Sequence, residues 1–220
     1  MSRARLPRLA VSRASARFLE QGHPWVVRDR DTGSLSALQP GQPVRLVAPG
    51  GAPLGVALAD PGSKVCARLV SRDPGFEPGP RAWQRRLERA LEIRASGLDP
   101  ARTTLARLVH GEGDGLPGVE VDPLGELLVV TSRCAAADGL AETVGAALVE
   151  ARPGWGVWLR THHEDLRRGQ TGGALPGRAL AGTPPEDGWC EGTEDGLVYR
   201  LQPFEGLGTC LLYTSPSPRD

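Results

Sequence analysis

The stretch Arg107–Thr131, RLVHGEGDGLPGVEVDPLGELLVVT, sets the architecture of the chain. Leu108 and Val109 close one apolar run. Gly111, Gly113 and Gly115 then admit backbone angles that a Cβ disfavours. Leu116-Pro117-Gly118 places proline and glycine as a type II turn requires. Val119-Glu120-Val121-Asp122 alternates with period two, which predicts a strand with one apolar and one acidic face. Asp122-Pro123-Leu124-Gly125 has the residue order of a type I turn, and Leu127 to Val130 is the return strand. Glu112 and Asp114 could serve as an acid–base pair, but the glycines around them favour turn hydrogen bonding. The run is no phosphate loop, for it lacks the GK[ST] ending, and no dinucleotide fingerprint, because Leu116 and Pro117 interrupt it.

Working outward towards the N-terminus, residues 1–75 read as short strands separated by Gly/Pro turns. Leu9 to Val11 is a strand, and Ser15 to Gln21 is a short helix stopped by Gly22. Val44 to Val47, Leu54 to Ala59 and Val65 to Val70 are further strands, parted by turns at Pro49–Pro53 and Asp60–Ser63. That spacing predicts a small barrel. Pro74 to Pro80 is a stiff linker. Arg81 to Ser96 then shows Trp83, Leu87, Ala90, Leu91 and Ala95 on one stripe, which predicts an amphipathic helix ended by Gly97.

Towards the C-terminus, Asp138 is placed to cap a helix from Gly139 to about Ala151, and Val157 to Arg160 is a strand, giving a β-α-β unit. His162-His163-Glu164-Asp165 invites a metal reading. Adjacent histidines point different ways on any regular element, however, and no third ligand follows at a usual spacing. Residues 169–189 form a Gly/Pro loop, and Glu194 to Leu201 is a turn followed by an alternating strand.

Composition narrows the function class. Apolar residues make up 40% of the chain, enough for a core. No apolar run is long enough to span a membrane, and the basic N-terminus lacks the apolar stretch of a secretory signal. The four cysteines, Cys66, Cys134, Cys190 and Cys210, form no CxxC pair, so free thiols in a reducing cytoplasm are expected and a zinc site is not. Net charge is zero, but residues 1–45 hold eight arginines against Glu20, Asp29 and Asp31. That asymmetry permits a local RNA-facing patch.

Two stretches carry a resemblance. RLVHGEGDGLPGVEVDPLGELLVV is similar to the signature that follows the PUA domain in a family of large-subunit rRNA cytosine-C5 methyltransferases. GHPWVVR, the G-x-P-V-x-L strand at 41–46, PLGVAL at 53–58 and Val65 to Leu69 resemble the PUA domain itself, an RNA-binding pseudobarrel. The resemblance implies an α+β chain: a PUA-like β-pseudobarrel over residues 1–75, a linker and helix over 76–97, and a mixed α/β central module over 98–207. It implies an rRNA partner contacted through Arg17, His23, Trp25, Arg28 and Lys64. For Trp25 a core anchor is the competing reading, and for His23 a turn carbonyl. Residues 210–220, CLLYTSPSPRD, read as a translated sequencing adapter in place of the family's aromatic-rich continuation.

On that reading the Rossmann-like methyltransferase domain is absent, the full-length parent uses S-adenosylmethionine, and this chain binds neither cofactor nor metal. The family's nucleophilic cysteine has no counterpart in Cys66, Cys134 or Cys190, so no catalytic residue is assigned. The expected function is the RNA-binding part of a cytoplasmic methyltransferase, inactive by itself. The alternatives are a stand-alone PUA-type RNA-binding adaptor, or a PUA-bearing protein of other RNA-modification chemistry.

Overall fold

A computed structural model describes residues 6–163, 177–183 and 185–202. Five strands and one helix build the first unit: β1 (Arg8–Ala10), α1 (Arg13–Glu20), β2 (Trp25–Val27), β3 (Pro43–Val47), β4 (Pro53–Ala59) and β5 (Val65–Ser71). The sheet order is β1-β3-β4-β5-β2, parallel at β1–β3 and antiparallel elsewhere. Period-two alternation sends Leu9, Val26, Val44, Leu46, Ala57 and Cys66 inward, and Leu19 of α1 closes the core. Ser12 caps α1, its hydroxyl accepting from the Ser15 N–H at 3.1 Å. Gly55 is required by close approach: it lies at φ +138°, and a Cβ there would sit 2.2 Å from the Ser71 carbonyl oxygen.

The second unit begins with α2 (Pro80–Gly97), whose Pro80 sits in the first turn where its missing N–H is harmless. Trp83, Leu87 and Ala90 face the core, but Ala95, at the end of the expected stripe, is exposed. β6 (Val109–His110), a 3-10 turn at Gly111–Asp114, β7 (Val119–Leu124), β8 (Leu127–Ser132), α3 (Asp138–Ala151), β9 (Gly156–Thr161) and β10 (Gly177–Ala181) follow. The sheet order is β10-β9-β8-β7-β6, with β8 and β9 parallel across the α3 crossover. Val119, Val121, Leu128, Val130, Val157 and Leu159 bury one face against α2 and α3. Leu58 and Val70 of the first sheet enter the same core, so the two units share apolar packing. A hairpin, β11 (Cys190–Glu194) and β12 (Leu197–Leu201), covers Leu124, Leu127 and Val129 on the opposite face. Its turn, Asp195-Gly196, has both residues at positive φ, which suits the right-handed twist of the strands.

Three expectations change. Asp122-Pro123-Leu124-Gly125 is not the turn: β7 runs through Pro123 to Leu124, and Leu124 pairs with Leu127 around Gly125-Glu126. Pro123 is tolerated because β6 ends its pairing at Val121, so β7 is an edge at the position of the missing N–H. Asp138 does not cap α3 but is its first residue, and its carboxylate accepts from the Ser132 hydroxyl at 2.6 Å. The expected absence of the Rossmann-like domain from this α+β chain also needs correction, because the expected β-α-β unit forms as β8–α3–β9, a parallel crossover of the kind such domains are built from.

Candidate nucleic-acid interface

The α1–β2 connection presents three aromatic side chains. Leu19 is turned into the core, which sends its neighbour Phe18 outward at 53% exposure. The chain reverses at Gly22, and the His23 N–H donates to the Phe18 carbonyl at 3.0 Å. In β2, Val26 is buried, so Trp25 and Val27 point out, and Trp25 is 38% exposed. Trp25 is therefore not the core anchor that Pro24-Trp25 allowed. His23 stacks edge-on to it, with ring centroids 5.7 Å apart, and its Nδ1 accepts from the Trp25 backbone N–H at 3.2 Å. His23 thus satisfies a neighbouring N–H and not the turn carbonyl of the competing reading.

Glu112, from the glycine-rich turn, fixes this corner. Its Oε1 accepts from the Trp25 indole N–H at 2.6 Å and from Arg68 Nη1 at 2.8 Å. Arg68, opposite Trp25 in the β2–β5 pair, also lies over the indole, 5.1 Å from its centroid. Burial alone would push the Glu112 carboxyl up, but the two donated hydrogen bonds and the Arg68 charge hold it below the usual carboxylate range. One acidic side chain thereby ties the first sheet to the turn that leads into the second.

The expected RNA-facing residues divide into two groups. Arg17 in the last turn of α1, His23 and Trp25 lie at the α1–β2 corner. Arg28 and Lys64 lie at the far end of the β2–β5 pair, where the Arg28 N–H donates to the Lys64 carbonyl at 2.8 Å. The Arg28 guanidinium is turned onto the Pro61 carbonyl, beside an open cavity of about 460 Å³ that Asp29 and Thr32 also line. Sequence reasoning missed Phe18, Arg68 and the latching role of Glu112. Phe18 could have been found, since Leu19 occupies the inward position of the same helical turn.

The acidic face expected of β7 exists, but arginines fill it. Asp122 accepts from Arg107 Nε at 2.8 Å and Nη2 at 3.1 Å, and Glu120 lies 3.0 Å from Arg107 Nη1. Arg133 Nε donates to Glu120 at 2.7 Å, and Arg133 Nη1 donates to His162 Nδ1 at 2.8 Å. Arg160, 1% exposed, donates through Nε to the Thr131 hydroxyl at 3.0 Å, and burial lowers its pKa to about 10. Asp114 is likewise engaged, bidentate with Arg94 at 2.7 Å on each oxygen. Glu112 and Asp114 are thus ion-pair partners of Arg68 and Arg94, a structural role that argues against a general base. His162 and His163 diverge as adjacent residues must, for His163 Nε2 lies 2.9 Å from Asp138. Glu164, Asp165, Cys210 and the tail at 210–220 lie outside the described residues.

Cys66, Cys134 and Cys190 are buried free thiols. Burial pushes all three up, Cys134 to about 11, so none is a thiolate at neutral pH. The β8–α3 connection, where a parallel crossover could hold a nucleotide-like cofactor, is filled by its own side chains. A Cβ on Gly118 would lie 2.9 Å from both Ala137 Cβ and Cys134 Sγ, and Asp138 is occupied by Ser132 and His163.

Residues 9–72 match the model of a PUA-like domain. The chain is 29% identical over 186 residues to ribosomal RNA large subunit methyltransferase I of Cronobacter sakazakii, covering 79% of this chain and 46% of the relative. It is 30% identical over 164 residues to the protein of that name from Salmonella arizonae, covering 70% and 38%. A structure described as a SAM-dependent methyltransferase from Streptococcus mutans superposes with a TM-score of 0.74 at 18% identity, over 92% of this chain and 50% of that one. Another methyltransferase structure, complexed with SAH, superposes at 0.73 over 92% and 49%.

The chain therefore carries a PUA-like domain and is homologous to large-subunit rRNA methyltransferases, and it spans less than half the length of those relatives. The superpositions overturn the expected absence of the methyltransferase fold, since nearly all of the chain lies on methyltransferase structures. No helix among the described residues is long and apolar enough to cross a membrane.

Proposed function

We propose that this chain is the RNA-holding part of an S-adenosylmethionine-dependent enzyme that methylates cytosine C5 in large-subunit rRNA. Residues 1–75 contact RNA through Arg17, His23, Trp25, Arg28 and Lys64, residues 76–97 connect, and 98–207 form the sheet against which the RNA is registered. The observation that carries the reading is the Glu112 bond to Trp25 and Arg68. An RNA surface held rigidly to a second sheet can deliver a nucleotide to a fixed distance, and such positioning accounts for much of enzymatic rate. The names of the relatives supply the substrate class and the donor. The burial of Cys66, Cys134 and Cys190 argues against each as the nucleophile, and the thiolate that C5 chemistry requires is assigned to none of them.

Affinity for a structured fragment of large-subunit rRNA is expected to fall linearly with salt on logarithmic axes, as released counterions demand, and Arg17→Ala or Lys64→Ala should each flatten the slope by about 1. Affinity independent of salt, or slopes untouched by both substitutions, would remove the RNA face from this surface.

A further inference from the structure

We infer that Phe18, His23 and Trp25 form a stacking platform for an unpaired nucleobase of the bound RNA. The inference rests on the RNA-binding reading above and adds the element of RNA that is recognised. Phe18 and Trp25 are large aromatic side chains left exposed on the surface. Their rings form a continuous run, Phe18 to His23 at 6.3 Å and 57°, His23 to Trp25 at 5.7 Å and 81°.

Hydrogen bonds hold Trp25 and the backbone of this corner in place. The indole N–H is committed to Glu112, the Trp25 backbone N–H to His23, and the His23 backbone N–H to Phe18. With its polar edge satisfied and Arg68 over the ring, Trp25 offers its remaining exposed ring surface, and every base has a π-face to meet it. A platform ordered before binding spares the ligand the entropy of ordering it. Charge selects RNA over an apolar partner. Arg13 and Arg17 are exposed on the helix that carries Phe18, and Arg28 and Lys64 are exposed at the far end of the β2–β5 pair. Glu112, which holds Trp25, is neutralised by Arg68 and does not repel phosphate, and the exposed Glu20 at the end of α1 is outnumbered by Arg13 and Arg17. Stacking is sequence-tolerant, so the platform reads the unpaired state of a nucleotide and not its identity.

Phe18→Ala is the direct test, because the side chain is exposed and its loss leaves the core intact. Binding of the full chain is measured by fluorescence anisotropy to an RNA hairpin with an unpaired loop, and to a blunt duplex with the same number of phosphates. Wild type is expected to prefer the hairpin, and Phe18→Ala to lose about tenfold on the hairpin with the duplex unchanged. Abasic nucleotides in the loop should reproduce the loss, and Phe18→Ala should then add nothing further. Equal weakening on hairpin and duplex, or additive losses from the abasic loop and the substitution, would overturn the platform while leaving RNA binding in place. If wild type binds neither RNA, the RNA reading falls and the platform with it.

Discussion

Asp122→Ala is expected to destabilise the protein by about 3 kcal/mol, the order found when one partner of a buried ion pair is removed. Asp122 is 4% exposed and holds the Arg107 guanidinium through two hydrogen bonds. Without it Arg107 keeps Glu120, which must already serve Arg133, so two arginines would share one carboxylate on a sheet face that also holds Arg160. In a chain of this size the loss corresponds to a fall in melting temperature of roughly 10 °C. Replacing both partners by apolar residues, as in Arg107→Met with Asp122→Leu, should cost less than Asp122→Ala alone, since no buried charge is left unpaired. Calorimetry decides: a shift within about 2 °C for Asp122→Ala would mean the pair is solvated and does not organise this face.

Glu112→Ala is the second large effect, at about 2–3 kcal/mol, because it strands an indole N–H and a guanidinium with charge-assisted bonds to the same oxygen. Arg68 is only 12% exposed and cannot turn fully to water. Glu112→Gln should lose less, keeping an acceptor but not the charge. The pH dependence follows from the depressed carboxyl. A carboxylate held below its ordinary value contributes stability that is fully present above the unfolded pKa and is lost as pH falls through the folded one. The stability gap between wild type and Glu112→Gln should therefore be constant at neutral pH and close on acidification below the ordinary carboxylate range. A gap that widens in acid would contradict the ion pair. Removing the latch should also loosen Trp25, so Glu112→Ala is expected to weaken RNA binding without altering any group proposed to touch RNA.

Much of this fold was legible because it depends on local pattern. The α2 stripe of Trp83, Leu87 and Ala90, the alternation of Val119 and Val121, and the Gly118 turn at φ +74° are all short-range features. The misplaced turn at Asp122-Pro123 shows where local pattern fails. Its residues suit a type I turn, but pairing with β8 extends the strand through Pro123, and only the early end of β6 makes that tolerable. That is tertiary information.

The candidate site divides the same way. Trp25 and His23 could be singled out from sequence, but the exposure of Trp25 follows from which β2 residue faces the core. Glu112 is 87 residues from Trp25 and 44 from Arg68, so the latch that joins them has no signature in sequence spacing. The acidic β7 face was legible as acidic, and its neutralisation by Arg107 and Arg133 was not, because these arginines lie outside the β7 strand itself. The methyltransferase fold was not legible because the chain carries no glycine-loop or cysteine motif of the family, whereas the backbone of the described part follows methyltransferase structures.

The most direct measurement is methyl transfer. The whole protein that carries this chain is incubated with methyl-labelled S-adenosylmethionine and unmodified large-subunit rRNA, and the product nucleosides are resolved by mass spectrometry. The account predicts label in 5-methylcytosine, reduced when Glu112→Ala uncouples the RNA face from the second sheet. Label absent from rRNA, or present and indifferent to the loss of Glu112, would contradict it.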